Sequence, residues 1–345
     1  MTTASLVPKS DFVGHSEIIH LAAGGQTPSL KSHVGALQRF ISTKGTGLKG
    51  QEETKSLRSR LTRRCADLLG CAPDEIGFPS SVAHGVSLLA DSISWRTGDN
   101  IVLQNSEFPS LVNPWLVQGN NEVEVRVVEQ ENHHACLERT RAAVDERTRV
   151  IALSHVSYLT GERLDLAAYG EIARQAGALF VVDASHALGS VPVYAPYADF
   201  VFSCCYKWVL GMQGTAIAYW NRQRMPQWQP RMTGWHSVSA HPPSQRHLLP
   251  EPLHDGRAFE PGNPNYAGLF VLENALDYLL RYSQHSIERH NLTLSAQVRD
   301  GLLSLGVEVT TPANPTKRAG NVCFTTTQAP AIRRAMEARG VLVTG

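Results

Sequence analysis

A carboxylate and an amine stand at comparable places in the chain. Asp183 closes the apolar run ALFVVD, and Lys207 follows 24 residues later in SCCYKW, just past the next expected strand. At the carboxyl ends of strands in an open α/β sheet, where such sheets bind ligands, both side chains face one crevice. A lysine and an acid there suit pyridoxal phosphate, which needs an amine for a Schiff base and an acid to keep its ring nitrogen protonated as an electron sink. The commoner fates of these residue types are plainer: Asp183 capping a loop, and Lys207 a solvated surface lysine.

Two further segments carry the same chemistry. In IGFPSSVAHGVSLLADSI, residues Ser80, Ser81, Val82 and Ala83 open a helix after a short strand. Free N–H groups and the helix dipole favour a phosphate at such an end, and a serine cap is compatible with one. Phe108, in NSEFPSLVNPW, follows the strand IVLQN and is placed to lie on a pyridine face, although most phenylalanines simply pack in cores.

The elements that must position these residues are legible from about residue 71 to 220. Short β-branched runs alternate there with helical-period segments, the pattern of a mostly parallel sheet covered on both faces. Strands are expected at 100–104, 122–128, 149–155, 178–183, 199–203 and 215–220. A helix over 164–176 places Leu166, Tyr169, Ile172, Ala173 and Ala176 on one face, with Gly177 as its stop. Residues 226–264 are rich in proline, histidine and polar side chains and read as a boundary loop. Beyond it, a helix over 266–282, strands at 307–311 and 321–325, a helix over 330–339 and a last strand at 341–344 make a small α+β unit. The expected division is an arm at 1–20, a large domain at 21–240 and a small domain at 241–345.

Composition narrows the classes. With 32 basic and 31 acidic side chains in 345 residues, no polybasic surface is available for phosphate neutralisation, and nucleic acid is not an expected partner. The sequence has neither a basic-then-apolar leader nor an 18-residue apolar run, so a cytoplasmic protein without a membrane partner is expected. Six cysteines without a CxxC pair fit a reducing compartment. GTGLKG, at 45–50, matches a dinucleotide fingerprint, but the segment before it, SHVGALQRFISTK, has helical rather than strand period. It is read as a loop joining two helices, and a nicotinamide-dependent oxidoreductase rests on that match alone. His133, His134 and Cys136 lie in the polar stretch QENHHACLERT, read as an exposed helix start rather than a zinc site, so no metal is expected.

The ordered set HVSYLTGERLDL, GALFVVDASHALGSVPV and ADFVFSCCYKWVLGMQGTAIAYW, with EFPSLVNPW and RAFEPGNPN, resembles the class V aminotransferase family of pyridoxal-phosphate enzymes, of fold type I, from about residue 20 to 345. That group includes cysteine desulfurases, selenocysteine lyases, kynureninase and isopenicillin N epimerase. The desulfurase-like SGHK stands here as CCYK, which is nearer the epimerase and kynureninase branches. The resemblance implies Lys207 as the Schiff-base lysine, Asp183 as the partner of the pyridinium nitrogen and His186 near the phenolic oxygen. It implies Phe108 as the stacking ring, and Ser81, Val82, Ala83 and Tyr206 around the phosphate. Asn263 matches a residue that contacts the phosphate of the neighbouring subunit, which implies a homodimer with shared sites. Tyr158 stands where desulfurases have an asparagine and is read as a gate on the substrate side.

The reaction is less constrained than the cofactor. The amine of Lys207, once displaced, is placed to take the Cα proton. Cys323, in GNVCFTTT, is read as a buried, inert strand residue, which disfavours persulfide transfer, and Cys204 and Cys205 are given no catalytic role. In relatives a strand bearing a carboxylate-binding arginine follows the counterpart of VLVTG, whereas this sequence stops at Gly345. Loss of that clamp counts against ordinary α-amino-acid turnover. Arg231 and Arg257, flanking the loop with Trp235 and His236, are the candidate stand-ins. The expected function is β-elimination of the carbon–sulfur lyase type or epimerisation of an amino acid or its derivative. Transamination is the alternative, and a cofactor-binding protein without turnover is the alternative of another class.

Overall fold

Valine, isoleucine, leucine and phenylalanine in unbroken runs are what a strand covered on both faces requires, and the runs between residues 100 and 220 each become one. The computed structural model describes residues 5–14, 17–240, 242–245 and 247–344. In chain order its elements are β1 (Ile19–His20), α1 (His33–Thr43), α2 (Leu48–Leu69), β2 (Ile76–Gly77), α3 (Val82–Ser92), β3 (Asn100–Gln104), α4 (Pro109–Leu116), β4 (Glu124–Val128) and α5 (Leu137–Ala143). There follow β5 (Thr148–Ser154), α6 (Leu166–Ala176), β6 (Leu179–Asp183), β7 (Phe200–Cys204), β8 (Ala216–Trp220), α7 (Tyr266–Leu279), α8 (Gln284–Ser304), α9 (Ala329–Glu337) and β9 (Val341–Leu342).

Seven strands form one sheet in the order β2-β8-β7-β6-β5-β3-β4. Strands β3 to β7 run parallel, and β8 is antiparallel to both of its neighbours. This is the expected mostly parallel α/β sheet. Alternation along a strand sends neighbouring side chains to opposite faces. Phe180 and Val182 accordingly join one buried cluster with Leu57, Leu61 and Tyr169, whereas Val181 joins Val86, Trp115 and Phe202 on the other face. From β3 the chain passes outward to β4, then returns to the far side of β3 as β5. That reversal opens a crevice at the carboxyl ends of β3 and β5.

Helix α6 starts two residues later than expected because Asp165 caps it, its side chain accepting from the N–H groups of Ala167 and Ala168. Gly45 and Gly47, both at positive φ, lie in the turn between α1 and α2, so GTGLKG joins two helices with no strand ahead of it. Cys136 immediately precedes α5. Among the described residues no helix is long and apolar enough to cross a membrane.

The segment after residue 304 departs from expectation. The strands expected at 307–311 and 321–325 are reduced to one bridge, Val309 to Phe324. The Cys323 N–H donates to the Thr311 hydroxyl instead of a ladder carbonyl, and Pro312 has no N–H with which to extend the pairing. The last strand shortens to β9, which pairs in parallel with β1 outside the main sheet. The expected arm at 1–20 lies partly outside the described residues. Helix α8 has no counterpart in the sequence reading. Ser295 is its single fully buried residue, so it carries little of the apolar periodicity that reveals a helix.

Candidate active site

The carboxyl ends of β3, β5, β6 and β7 converge on a cleft lined by Asp183, His186 and Lys207. Each is fixed by local backbone chemistry. Beyond β7 the chain turns sharply, with the Leu210 N–H donating to the Lys207 carbonyl at 2.9 Å and the Gly211 N–H to the Cys205 carbonyl at 2.7 Å. Leu210 takes a positive φ of 63° to close that turn, a conformation most side chains avoid. The Thr27 hydroxyl donates to the Lys207 carbonyl at 2.8 Å from the amino-terminal segment. Gly189, at φ +87°, lets the DASHALGS turn press against the lysine loop, since a Cβ there would sit 2.4 Å from the Trp208 carbonyl oxygen.

Lys207 is 7% exposed. Its Nζ lies 2.9 Å from His186 Nε2 and 5.5 Å from the centre of the Phe108 ring. Asp183 ends β6 and accepts from the Ser185 N–H at 2.8 Å. Burial pushes the Asp183 carboxyl up, opposed by the Ser185 bonds and the charge on Lys207. Burial takes His186 down to about 3, aided by the Lys207 charge, while a bond from Asn321 opposes the shift. Its ring is therefore neutral.

At the start of α3 the Ser81 side chain accepts from the His84 N–H at 3.1 Å, and the N–H groups of Val82 and Ala83 belong to the first turn, which a helix cannot satisfy internally. Ser81, Val82, Phe108 and Tyr206 line the cleft together with Asp183, His186 and Lys207. Ala83 lies one residue deeper in α3, and Asn263 is exposed outside the cleft of its own chain. Tyr158 is also on the wall, its ring edge-on to Phe108 with centroids 5.2 Å apart.

Three sequence readings require correction. Arg231 and Arg257 do not line the cleft. Arg257 is already paired with Asp255 at 2.6 Å, and the neighbouring His236 faces Glu260 at 3.3 Å, so neither is poised for a substrate carboxylate. Cys323 is half-buried in irregular chain rather than in a strand, its thiol 3.9 Å from the Tyr158 carbonyl. Burial pushes that thiol up to about 11. Cys204 does line the cleft, whereas Cys205 is wholly buried.

Three contributors escaped the sequence reading. Glu107, next to Phe108, accepts from the Ser154 N–H at 2.8 Å and pairs with its hydroxyl; burial raises its carboxyl to about 7. Thr215 Oγ1 is buried in the cleft wall without a partner. Asn321 places Nδ2 at 2.9 Å from His186 Nδ1. Only the position of Glu107 beside an aromatic at a strand end was a signal in the sequence.

The sequence model of the aminotransferase class-V family matches residues 41–345. A probable cysteine desulfurase of Methanothermobacter thermautotrophicus is 29% identical over 301 residues, 84% of this chain and 74% of the relative. A kynureninase of Burkholderia mallei is 27% identical over 304 residues, 83% of this chain and 71% of the relative. In three dimensions the chain is similar to the cysteine desulfurase of Thermococcus onnurineus NA1, with a TM-score of 0.88, 22% identity, and 99% and 88% of the two chains covered. The cystine C-S lyase C-DES gives 0.86, with 18% identity and 96% and 91% covered. With the family matched over most of its length, the chain belongs to the class V aminotransferases and is a pyridoxal-phosphate-dependent enzyme.

Proposed function

We propose that the enzyme breaks a bond at Cβ of a sulfur-bearing amino acid, by β-elimination of the carbon–sulfur lyase type. Epimerisation at Cα is the next choice and transamination the third. The observation that carries the reading is the Lys207 amine, buried beside His186 in the cleft that Asp183 also lines. The similarity to a cystine C-S lyase and to cysteine desulfurases supports the choice of bond.

The residues present fit pyridoxal phosphate. Thr215 Oγ1 is an orphaned buried hydroxyl in the cleft wall, and the unsatisfied first-turn N–H groups of Val82 and Ala83 supply donors for an anion. When bound, the cofactor supplies an electron sink that stabilises negative charge developing at Cα. In this reading Lys207 is the amine that would hold the cofactor covalently. Its Nζ takes the Cα proton and returns it to the leaving group. Asp183 would keep the ring nitrogen protonated, His186 would serve the phenolic oxygen, and Phe108 would be the stacking ring. Ser81, Val82, Ala83 and Tyr206 hold the phosphate. Asn263, exposed in its own chain, reaches the phosphate of a second copy, which makes the enzyme a homodimer with shared sites.

The division at 1–20, 21–240 and 241–345 completes the proposal, with the cleft in the large domain. All six cysteines are free, which supports a cytoplasmic setting.

Borohydride reduction followed by peptide mass spectrometry tests the lysine: the label is expected on Lys207 and absent from Lys207→Ala. Cystine, cysteine conjugates and common amino acids, assayed for pyruvate, ammonia, sulfide and keto acids, then test the bond. Release of keto acid without ammonia across the panel, with no elimination product, overturns the lyase assignment.

A further inference from the structure

The turn that carries Lys207 is held partly by its own backbone and partly by a distant stretch of chain. From within, the Gly211 N–H donates to the Cys205 carbonyl at 2.7 Å and the Leu210 N–H to the Lys207 carbonyl at 2.9 Å. From outside comes Thr27, 180 residues earlier in the sequence. Its N–H donates to the Tyr206 carbonyl at 3.2 Å. Its hydroxyl lies 2.8 Å from the Lys207 carbonyl oxygen and 3.2 Å from that of Tyr206. A carbonyl oxygen can only accept, so the hydroxyl must donate, and its one proton goes to the nearer oxygen.

The segment around Thr27 is itself anchored. Pro28 restricts the residue before it to extended backbone, Leu30 is 1% exposed, and the Lys31 N–H donates to the Asp11 carbonyl at 2.8 Å. The side-chain amides of Gln26 and Gln213 meet at 2.6 Å, a second contact with the chain just beyond the lysine turn. Leu210 holds a φ of +63°, which a bulky side chain keeps only where its surroundings enforce it. Its N–H and the Thr27 hydroxyl share the Lys207 carbonyl, so the outside bond bears directly on the strained turn. The lysine amine ends a flexible four-carbon stem, and a tilt of the peptides at 206 and 207 is carried outward to Nζ.

We propose that Thr27 is a positioning residue: its hydroxyl and N–H brace the Lys207 and Tyr206 carbonyls from the amino-terminal segment and hold the Lys207 amine where the cofactor has to meet it. The inference rests on Lys207 being the amine that holds the cofactor. It adds that this amine is aimed by a side chain outside the sheet, acting through the backbone of the turn.

The test uses the full chain, with the cofactor removed and pyridoxal phosphate then added back. Thr27→Val keeps the branched shape and the N–H and removes only the hydroxyl. In cofactor-free protein the Leu210 and Gly211 amides are expected to exchange about three- to tenfold faster in Thr27→Val, the share of one hydrogen bond, with those of β6 unchanged. On addition of pyridoxal phosphate, borohydride-trapped attachment at Lys207, timed by peptide mass spectrometry, is expected to slow by a similar factor. Thr27→Ser, which restores the hydroxyl, is expected to recover the parent rate. A Thr27 that served stability alone would lower the melting temperature or speed exchange across the fold without slowing attachment, and that result overturns the proposal, as does equal attachment in Thr27→Val and its parent. Should Thr27→Val not fold, the parent decides: Leu210 and Gly211 amides that exchange as fast as those of the exposed Gln213 and Gly214 overturn the brace. A label that falls elsewhere than on Lys207 in the parent sinks the functional reading, while the exchange rates still judge the brace, so the two failures give different results.

Discussion

His186 touches two walls of unlike construction. Toward Lys207 it meets the sheet, where Phe180, Val181, Val182 and Asp183 are buried and alternate between two core layers. Toward Asn321 it meets the carboxy-terminal segment, in which α9 buries no residue and β9 has only the two-residue β1 as a strand partner. Close packing on both faces gives the first wall one arrangement. Sparse packing leaves the second among the parts of a fold that open at low free-energy cost. A cofactor needs fixed geometry, whereas substrate entry and product release need something that yields, and the division between the walls supplies both.

The sharpest way to break the comparison is chemical. Asp183→Asn keeps the shape of the sheet wall and the acceptor for the Ser185 N–H but removes the charge that, in the proposed function, would keep the ring nitrogen protonated. Turnover is expected to fall by about 10²–10³-fold with native stability retained, by analogy with the loss of one preorganised electrostatic contact. Steady-state kinetics beside a thermal melt read both. Full recovery of turnover at saturating pyridoxal phosphate would mean that Asp183 only binds the cofactor.

Stability separates the walls next. Gly189→Ala forces a Cβ to 2.4 Å from the Trp208 carbonyl oxygen at φ +87° and is expected to cost about 2–4 kcal/mol, combining backbone strain with a steric clash. Gly306, also left-handed at φ +75°, has nothing within 4 Å, and Gly306→Ala is expected to cost about 1–2 kcal/mol, from the backbone alone. Chemical denaturation measures both, and equal costs would show the two walls to be packed alike. Amide exchange refines the same point: α9 and the 305–328 segment are expected to exchange faster than β5, β6 and β7.

The difference in packing also governs what the sequence reveals. Asp183 and Lys207 were legible because strand ends in a doubly covered sheet have a distinctive apolar signature, and Ser81 because a cap sits at a fixed offset from its helix. The strands expected at 307–311 and 321–325 failed for the converse reason. Val307 and Val309 are half-buried while the adjacent Thr310 and Thr311 are both buried, and 321–324 are uniformly half-buried, so neither segment alternates with one buried face to enforce a ladder, and Thr311 diverts the Cys323 N–H. Asn321 was invisible because its role arises from a contact with a residue 135 positions away, which no local period encodes. Arg231 and Arg257 misled because charge alone does not show whether a partner such as Asp255 is already in place.

A pH-dependent effect concerns Glu107, which ties the loop bearing Phe108 to Ser154 at the end of β5. Burial, with Asp183 nearby, raises its carboxyl from 4.5 to about 7 against the pull of the Ser154 bonds. The folded protein thus binds a proton that the unfolded chain has released between those values. The stability it contributes is fully present below about pH 4.5 and is lost as pH rises through about 7. Glu107→Gln keeps an acceptor for the Ser154 N–H and cannot ionise, so the variant is expected to match its parent at the acid end and exceed it above neutrality by roughly 3 kcal/mol. Denaturant melts across that range measure the crossing. Parallel curves would mean that water reaches the carboxylate, and that the sheet wall is as open at this corner as the carboxy-terminal one.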